Sequence, residues 1–202
     1  MDADGRFPLQ TPYFESVNVP HLYFAGNAMG FQDYKVSSSY FIHGFRHNID
    51  ALFSHLKERY HQVMIPRHTF NNDPQTFAKE VIIRVGSAVA FYHLPTVAGD
   101  CYYICPKTKQ IKAIHDLTVR QYHDMFKAND HYYIQTATYG KYPSMNVVGA
   151  PRLISGKPAY FKTGFSPVLQ RYNKGVLVAE FDFFQSLIGN TDSYMEAFPE
   201  LT

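Results

Sequence analysis

The sequence predicts an α/β chain: one strand–turn–helix half-unit within residues 1–62, followed by an α+β extension over residues 74–202. Three observations carry this reading. HLYFAG (residues 21–26) is a short apolar run ended by glycine, the pattern of a buried strand entering a tight turn. Phe41, Phe45, Ile49, Leu52 and Leu56 recur at helical spacing. Near the C-terminus Leu177, Ala179, Phe181 and Phe183 alternate with Val178, Glu180 and Asp182, as in a strand with one buried face.

The elements follow in chain order. FPLQTPYFESVNVP holds three prolines and no sustained period, so it reads as an extended lead-in to the strand. After Gly26 a polar loop, NAMGFQDYKV, leads to Ser37, Ser38 and Ser39, each a residue type that caps helices. The helix that follows has Phe53 and Tyr60 widening its apolar stripe, while Arg46, His47, Asp50, Lys57 and Glu58 fall largely off it. A weak boundary lies near residues 62–73. A second helix starts at Asp73-Pro74, a capping side chain followed by proline at the first helical position. Its stripe is Phe77, Val81, Val85, Val89 and Tyr92, and Pro95 stops it. CYYIC and QIKAIHDLT read as strands around a Pro-Lys-Thr-Lys turn, TVRQYHDMFKAN as a short helix and HYYIQTATYG as a strand. Residues 140–167, rich in Gly and Pro, read as a long irregular connection.

Composition removes several function classes. The chain has 202 residues and 23.2 kDa, with 46% hydrophobic and 18% charged residues, which excludes a disordered polyelectrolyte. Sixteen Tyr and 17 Phe without a Trp mean that the core is built largely from aromatic rings. A formal charge of +2 gives no basis for nucleic-acid or anionic-membrane binding. No apolar run approaches the roughly 18 residues of a membrane span. MDADGRFPLQ lacks the charged-then-apolar pattern of a signal peptide, and FPELT is neither a prenylation box nor a retention signal.

The reactive residue types form no recognised constellation. Cys101 and Cys105 miss the C-x-x-C spacing of redox pairs and would lie roughly 13 Å apart in an extended segment, so they read as structural thiols. His43 and His47 share a helix face without an H-E-x-x-H pattern or a third ligand, so they read as packing histidines and no metal site is expected. No G-x-S-x-G surrounds the three serines. Lys107, Lys109 and Lys112 read as a solvated turn, and YFKTGF and EFDFF as core.

Residues 13–56 carry a resemblance. FESVNVPHLYFAGN resembles the last strand of the FAD-binding domain in flavoprotein oxidoreductases of the pyridine nucleotide–disulfide and flavin-monooxygenase type, where a "svnvpglyfaGD"-like strand ends at the flavin. Phe41-Ile42-His43-Gly44-Phe45-Arg46 is similar to the "FIHGFR" helix of the endoplasmic reticulum flavoprotein associated with degradation and its relatives. Weaker likenesses continue through IIRVGSAVAFYHL, YIQTATYGKY and GFSPVLQRYNKGVLVAEFDFF.

The resemblance implies the closing strand and helix of an FAD-binding Rossmann-type domain. It implies FAD as cofactor and NAD(P)H as electron donor. Gly26 and Asn27 would stand at the family's "GD" positions near the ribityl chain, with Lys35, Val36 and Ser37 where backbone N–H groups face the pyrimidine side of the flavin. Two departures stand out. The usual aspartate is Asn27 here, which keeps hydrogen bonding but loses the charge. No G-x-G-x-x-G, the element that grips the pyrophosphate, occurs in the chain, nor does a second one for NAD(P)H. The expectation is therefore the C-terminal portion of a flavoprotein whose N-terminal FAD-binding portion lies upstream and without which it is not self-sufficient. The alternatives are a non-enzymatic protein-interaction module, with a protein partner of the quality-control type, and an inactive truncated fragment. An endoplasmic reticulum location is implied by resemblance alone, and no residue reads as a catalytic acid, base or redox cysteine.

Overall fold

The computed structural model describes residues 5–129, 131–139 and 165–182. Its architecture is mixed α/β: a six-stranded, wholly antiparallel sheet with helices on both faces. The strands are β1 (His68–Phe70), β2 (Ala98–Ile104), β3 (Ile111–Thr118), β4 (Tyr132–Tyr139), β5 (Phe165–Asn173) and β6 (Val176–Asp182), in the order β1-β3-β2-β4-β5-β6. The helices are α1 (Ile42–His61), α2 (Pro74–Ser87), α3 (Val89–His93) and α4 (Val119–Phe126), with a 3-10 helix at Gly26–Gln32 before them.

Alternation along the strands divides the core. Cys101, Ile114, Ile134 and Tyr132 face α1, α4 and the N-terminal segment, where Phe14, Met29, Ala51, Leu52, Tyr122 and Phe126 complete the cluster. Tyr102, Ala113, Ile111 and Leu169 face the other way, against Phe77 and Val81 of α2. Residues on both sides of the weak 62–73 boundary thus share one core. Tyr13, whose hydroxyl donates to Asp124 Oδ2 at 2.9 Å, ties the lead-in to α4.

The expected strand at HLYFAG is a single bridge, Tyr23 to Glu15, beside a second bridge between Gln10 and Ser16. Leu22 is exposed and the segment joins no sheet among the described residues. An apolar run becomes a strand only where a neighbour takes up its backbone groups, and here Phe24 N–H finds only Phe14 O, at 2.9 Å.

Helix α1 starts later than any of the three serines can cap. Its N-cap is Phe41, with no side-chain cap; the Ser37 hydroxyl donates instead to Asp33 O at 2.8 Å. The face α1 buries is Gly44, Asn48, Ala51 and Leu52, with Phe45 and Leu56 packed at its margin. Phe41, Ile49, Phe53 and Tyr60 of the expected stripe are exposed. Gly44 explains the choice: a Cβ there would lie 2.2 Å from Ser38 O and 2.7 Å from Leu94 Cδ2, so this face sits closest to its neighbours.

Helix α2 is capped as predicted, Asp73 Oδ1 accepting from Thr76 N–H at 2.8 Å with Pro74 at the first helical position. The predicted single stripe to Tyr92 is two helices, broken at Ala88 (ψ 85°), just after Gly86 and Ser87, which weaken the last turn. Val89 and Tyr92 consequently face solvent. Helix α4 opens with a capping box, Thr118 Oγ1 accepting from Gln121 N–H at 3.2 Å while Gln121 Oε1 accepts from Thr118 N–H at 2.9 Å. Among the C-terminal expectations, the irregular connection over 140–164, most of the YFKTGF run and Phe183–Phe184 lie outside the described residues. Its last residues, 165–167, belong to β5.

The interior is polar where α2 crosses the sheet. Asp100 is fully buried and takes Arg84 in two contacts, Nε to Oδ2 at 2.5 Å and Nη2 to Oδ1 at 3.1 Å, while Arg84 Nη2 also reaches Asp116 at 2.7 Å. Burial raises the Asp100 carboxyl to about 6, and the Arg84 guanidinium opposes that rise. Beside it, burial and then the Arg84 charge lower His115 to about 4, so this imidazole is neutral at pH 7.

Candidate functional site

The segment that carries the resemblance is anchored from beneath. Ala25 is extended, Gly26 turns left-handed at φ +66°, and the 3-10 helix follows. Met29, Gly30 and Gln32 are buried; Gln10 Nε2 donates to Ala28 O at 2.7 Å; and a Cβ on Gly30 would collide with Phe7 and Tyr40. Gly26 differs. No atom lies within 4 Å of where its Cβ would be, so only its positive φ requires glycine, and the space beside it is open.

The turn after the 3-10 helix is organised by Asp33. Its carbonyl accepts from Ser37 N–H at 2.9 Å, Val36 N–H at 3.3 Å and the Ser37 hydroxyl, and its Oδ2 accepts from the Thr96 hydroxyl at 2.9 Å. Ser38 N–H donates to His93 O at 3.1 Å, which joins the turn to α3. Asp33 is a hub that sequence reading missed, because its partners at 96 and 36–37 answer to no motif.

All five sequence-predicted contact residues lie on this one segment. Asn27, Lys35 and Val36 are exposed, Gly26 is half-buried and Ser37 is buried. The N–H groups of Val36 and Ser37, expected to point toward a ligand, are both spent on Asp33 O. The outward-facing capacity therefore rests with the Asn27 amide and the open edge at Gly26, while the Lys35 ammonium stands 5.7 Å from the Tyr34 ring. Polar capacity also remains unused below the surface: both amide atoms of Gln32 and of Asn48, and the Ser39 hydroxyl, are buried with no hydrogen-bond partner.

His43 and His47 lie on one face of α1 as expected, and His93 of α3 joins them. His47 Nε2 and His93 Nδ1 are 3.1 Å apart, and the His43 and His93 rings stand 6.1 Å apart. Burial first, and then the charge of Arg46, lower both His47 and His93, so these two imidazoles are neutral near pH 7. No metal-holding group of three His, Cys, Asp or Glu exists among the described residues. The cysteines are free: Cys101 is buried and its thiol pushed well up by burial, while hydrogen bonds from Thr108 hold Cys105 near 7. No helix among the described residues is long and apolar enough to cross a membrane.

Two relatives match part of the chain. It is 34% identical over 98 residues to the FAD-dependent oxidoreductase domain-containing protein 2 of Danio rerio, and 30% identical over 95 residues to the protein of that name from Mus musculus. The matches cover 48% and 47% of this chain and 14% of each relative, so the chain corresponds to a small part of their length. No protein-family profile and no solved structure matches. The relation to FAD-dependent oxidoreductases expected from residues 13–56 is thereby borne out.

Proposed function

We propose that this chain is the C-terminal portion of an FAD-dependent oxidoreductase, that it forms one wall of the flavin site, and that it works only together with an N-terminal FAD-binding portion. The observation that carries this is the similarity to two FAD-dependent oxidoreductase domain-containing proteins over nearly half the chain. Two features of the structure support it. The edge at Gly26 is open, and Asn27 beside it can both donate to and accept from a polyhydroxyl chain. The outer face of α1 exposes an apolar row among the described residues, with Ile42 66% and Phe53 57% exposed in line with Ile49.

Residues Gly26, Asn27 and Lys35 fit the rim of a flavin site, whereas Val36 and Ser37 contribute by shaping the turn through Asp33. Nothing among the described residues forms a phosphate-gripping loop, so the rest of the cofactor would be held by the N-terminal portion, against which the outer α1 face packs. In that reading residues 1–62 close a Rossmann-type domain and residues 74–202 extend it. FAD, when bound, supplies the redox chemistry, with NAD(P)H as its electron donor. The test compares the chain alone with the chain preceded by its upstream portion, each mixed with FAD and gel-filtered. The expected result is flavin absorbance near 450 nm only in the longer protein. Stoichiometric FAD on the chain alone, or none on the longer protein, would reject the reading.

A second reading, a protein-interaction module, is favoured by one observation. Strand β6, the edge of the sheet among the described residues, presents Val176, Leu177 and Val178 to solvent, a surface that could take another chain's strand. Partner capture that persists in flavin-free protein and fails on Val178→Lys would support it.

A further inference from the structure

A cavity of about 710 Å³ opens at the end of the sheet where α2 begins, and it shares no residue with the 26–37 segment. Its floor is a cross-strand row. The register pairs Tyr102 of β2 with Tyr133 of β4, and Tyr133 with Arg171 of β5, so the three side chains stand side by side on one sheet face. Phe77, from the first turn of α2, closes the row from above. Its ring lies 5.4 Å from that of Tyr102, edge-on at 81°, and 5.5 Å from that of Tyr133. Tyr102 is wholly buried, its hydroxyl donating to Gln135 Oε1 at 2.8 Å, so it backs the floor while the half-buried Tyr133 offers ring surface to the cavity.

The polar side of the cavity is cationic. Arg171 and Lys109 line it, against one carboxylate, Asp73, which already accepts from Thr76 N–H. Arg171 Nε is buried and has no hydrogen-bond partner. A buried guanidinium donor without an acceptor is unusual, because each such group ordinarily finds one. The Arg171 side chain lines a volume within the range of about 300–1,000 Å³ that small-ligand sites occupy. Aromatic walls with one convergent cation select a flat ring system bearing an anionic group.

We propose that this cavity binds a small planar aromatic anion, its ring laid on Tyr133 beside the edge of Phe77 and its carboxylate or phosphate on Arg171. The site stands independently of the flavin reading.

The test is calorimetric titration of the full chain with 2-naphthoate and 2-naphthyl phosphate, with neutral 2-naphthamide as the control. The expected result is one site per chain, with the anions roughly tenfold tighter than the amide because a charge-assisted contact is made. The tighter of the two anions tells whether the natural ligand is a carboxylate or a phosphate. Arg171→Gln is expected to erase the anion preference while leaving 2-naphthamide binding unchanged. Lys109→Asn provides a second variant on the exposed hairpin turn, where the left-handed backbone (φ +57°) suits asparagine. It is expected to weaken the anions roughly threefold with the fold intact. Absence of saturable binding up to about 1 mM would overturn the proposal. So would parent-like anion affinity in both variants, or an amide that binds as tightly as the anions.

Discussion

Replacing Arg84 by methionine tests how the polar interior under α2 is held. Asp100 is 0% exposed and Arg84 15%, and apart from Arg84 the carboxylate has one partner, the Asp116 N–H at 3.0 Å. Removing one member of a buried pair leaves the other charge uncompensated, at a cost of about 3–5 kcal/mol. The contact with Asp116, itself 56% exposed, adds little. Asp100 has a way out, because it can take a proton. Its carboxyl stands at about 6 with Arg84 present and rises further without it. Above pH 6 the folded variant therefore holds a proton that the folded parent has released, and its deficit grows by about 1.4 kcal/mol per pH unit until its own carboxyl ionises. Urea unfolding followed by far-UV circular dichroism should show a deficit about 2–3 kcal/mol larger at pH 8 than at pH 5.5. Adding Asp100→Asn to Arg84→Met should recover most of the pH 8 loss. A deficit under about 1 kcal/mol at pH 8, or one equal at both pH values, would refute this account of the pair.

Three further outcomes are expected. Gly44→Ala places a methyl 2.2 Å from a backbone oxygen and should cost about 1–3 kcal/mol, read as a lower urea midpoint with an unchanged slope. Acidification from pH 7 to 5 should destabilise the chain, since burial lowers His47, His55, His93, His115 and His123 in the folded state. Between those lowered values and the ordinary 6.5 the unfolded chain binds more protons, so stability is lost as pH falls; among the described residues Asp100 opposes this, and His115→Asn should flatten the slope. Cys105, near 7, should react with a maleimide readily at pH 7 and more slowly after Thr108→Val, whereas Cys101 should label only on unfolding.

Much of the fold was legible where the signal is local. The cap at Asp73-Pro74 depends on adjacent residues only, and α2 begins where it says. The position of α1 was legible from its period, but not its buried face. The helix carries apolar residues on more than one face, and a close approach at Gly44 outweighed the greater hydrophobicity of Ile49, Phe53 and Tyr60. The strand expected at HLYFAG needed a neighbour that a local reading cannot supply. In the site, Gly26 was legible as a turn, and its left-handed φ agrees. Asp33, His93 and Arg171 were not, because each acquires its partners or its cavity through long-range contacts that leave no spacing in the sequence.

The most direct test of the flavin-wall reading is the flavin occupancy of the protein in which this chain follows its N-terminal FAD-binding portion, compared with its Gly26→Asp variant. A carboxylate at that position fills the open edge and sets a negative charge beside the cofactor; no atom beyond the adjacent residues lies within 4 Å of the new Cβ, and the left-handed backbone (φ +66°) is a conformation that aspartate enters at modest cost. The account predicts near one FAD per chain in the parent and a strongly reduced 450 nm band in the variant, with unchanged far-UV circular dichroism. Equal occupancy in both would contradict it.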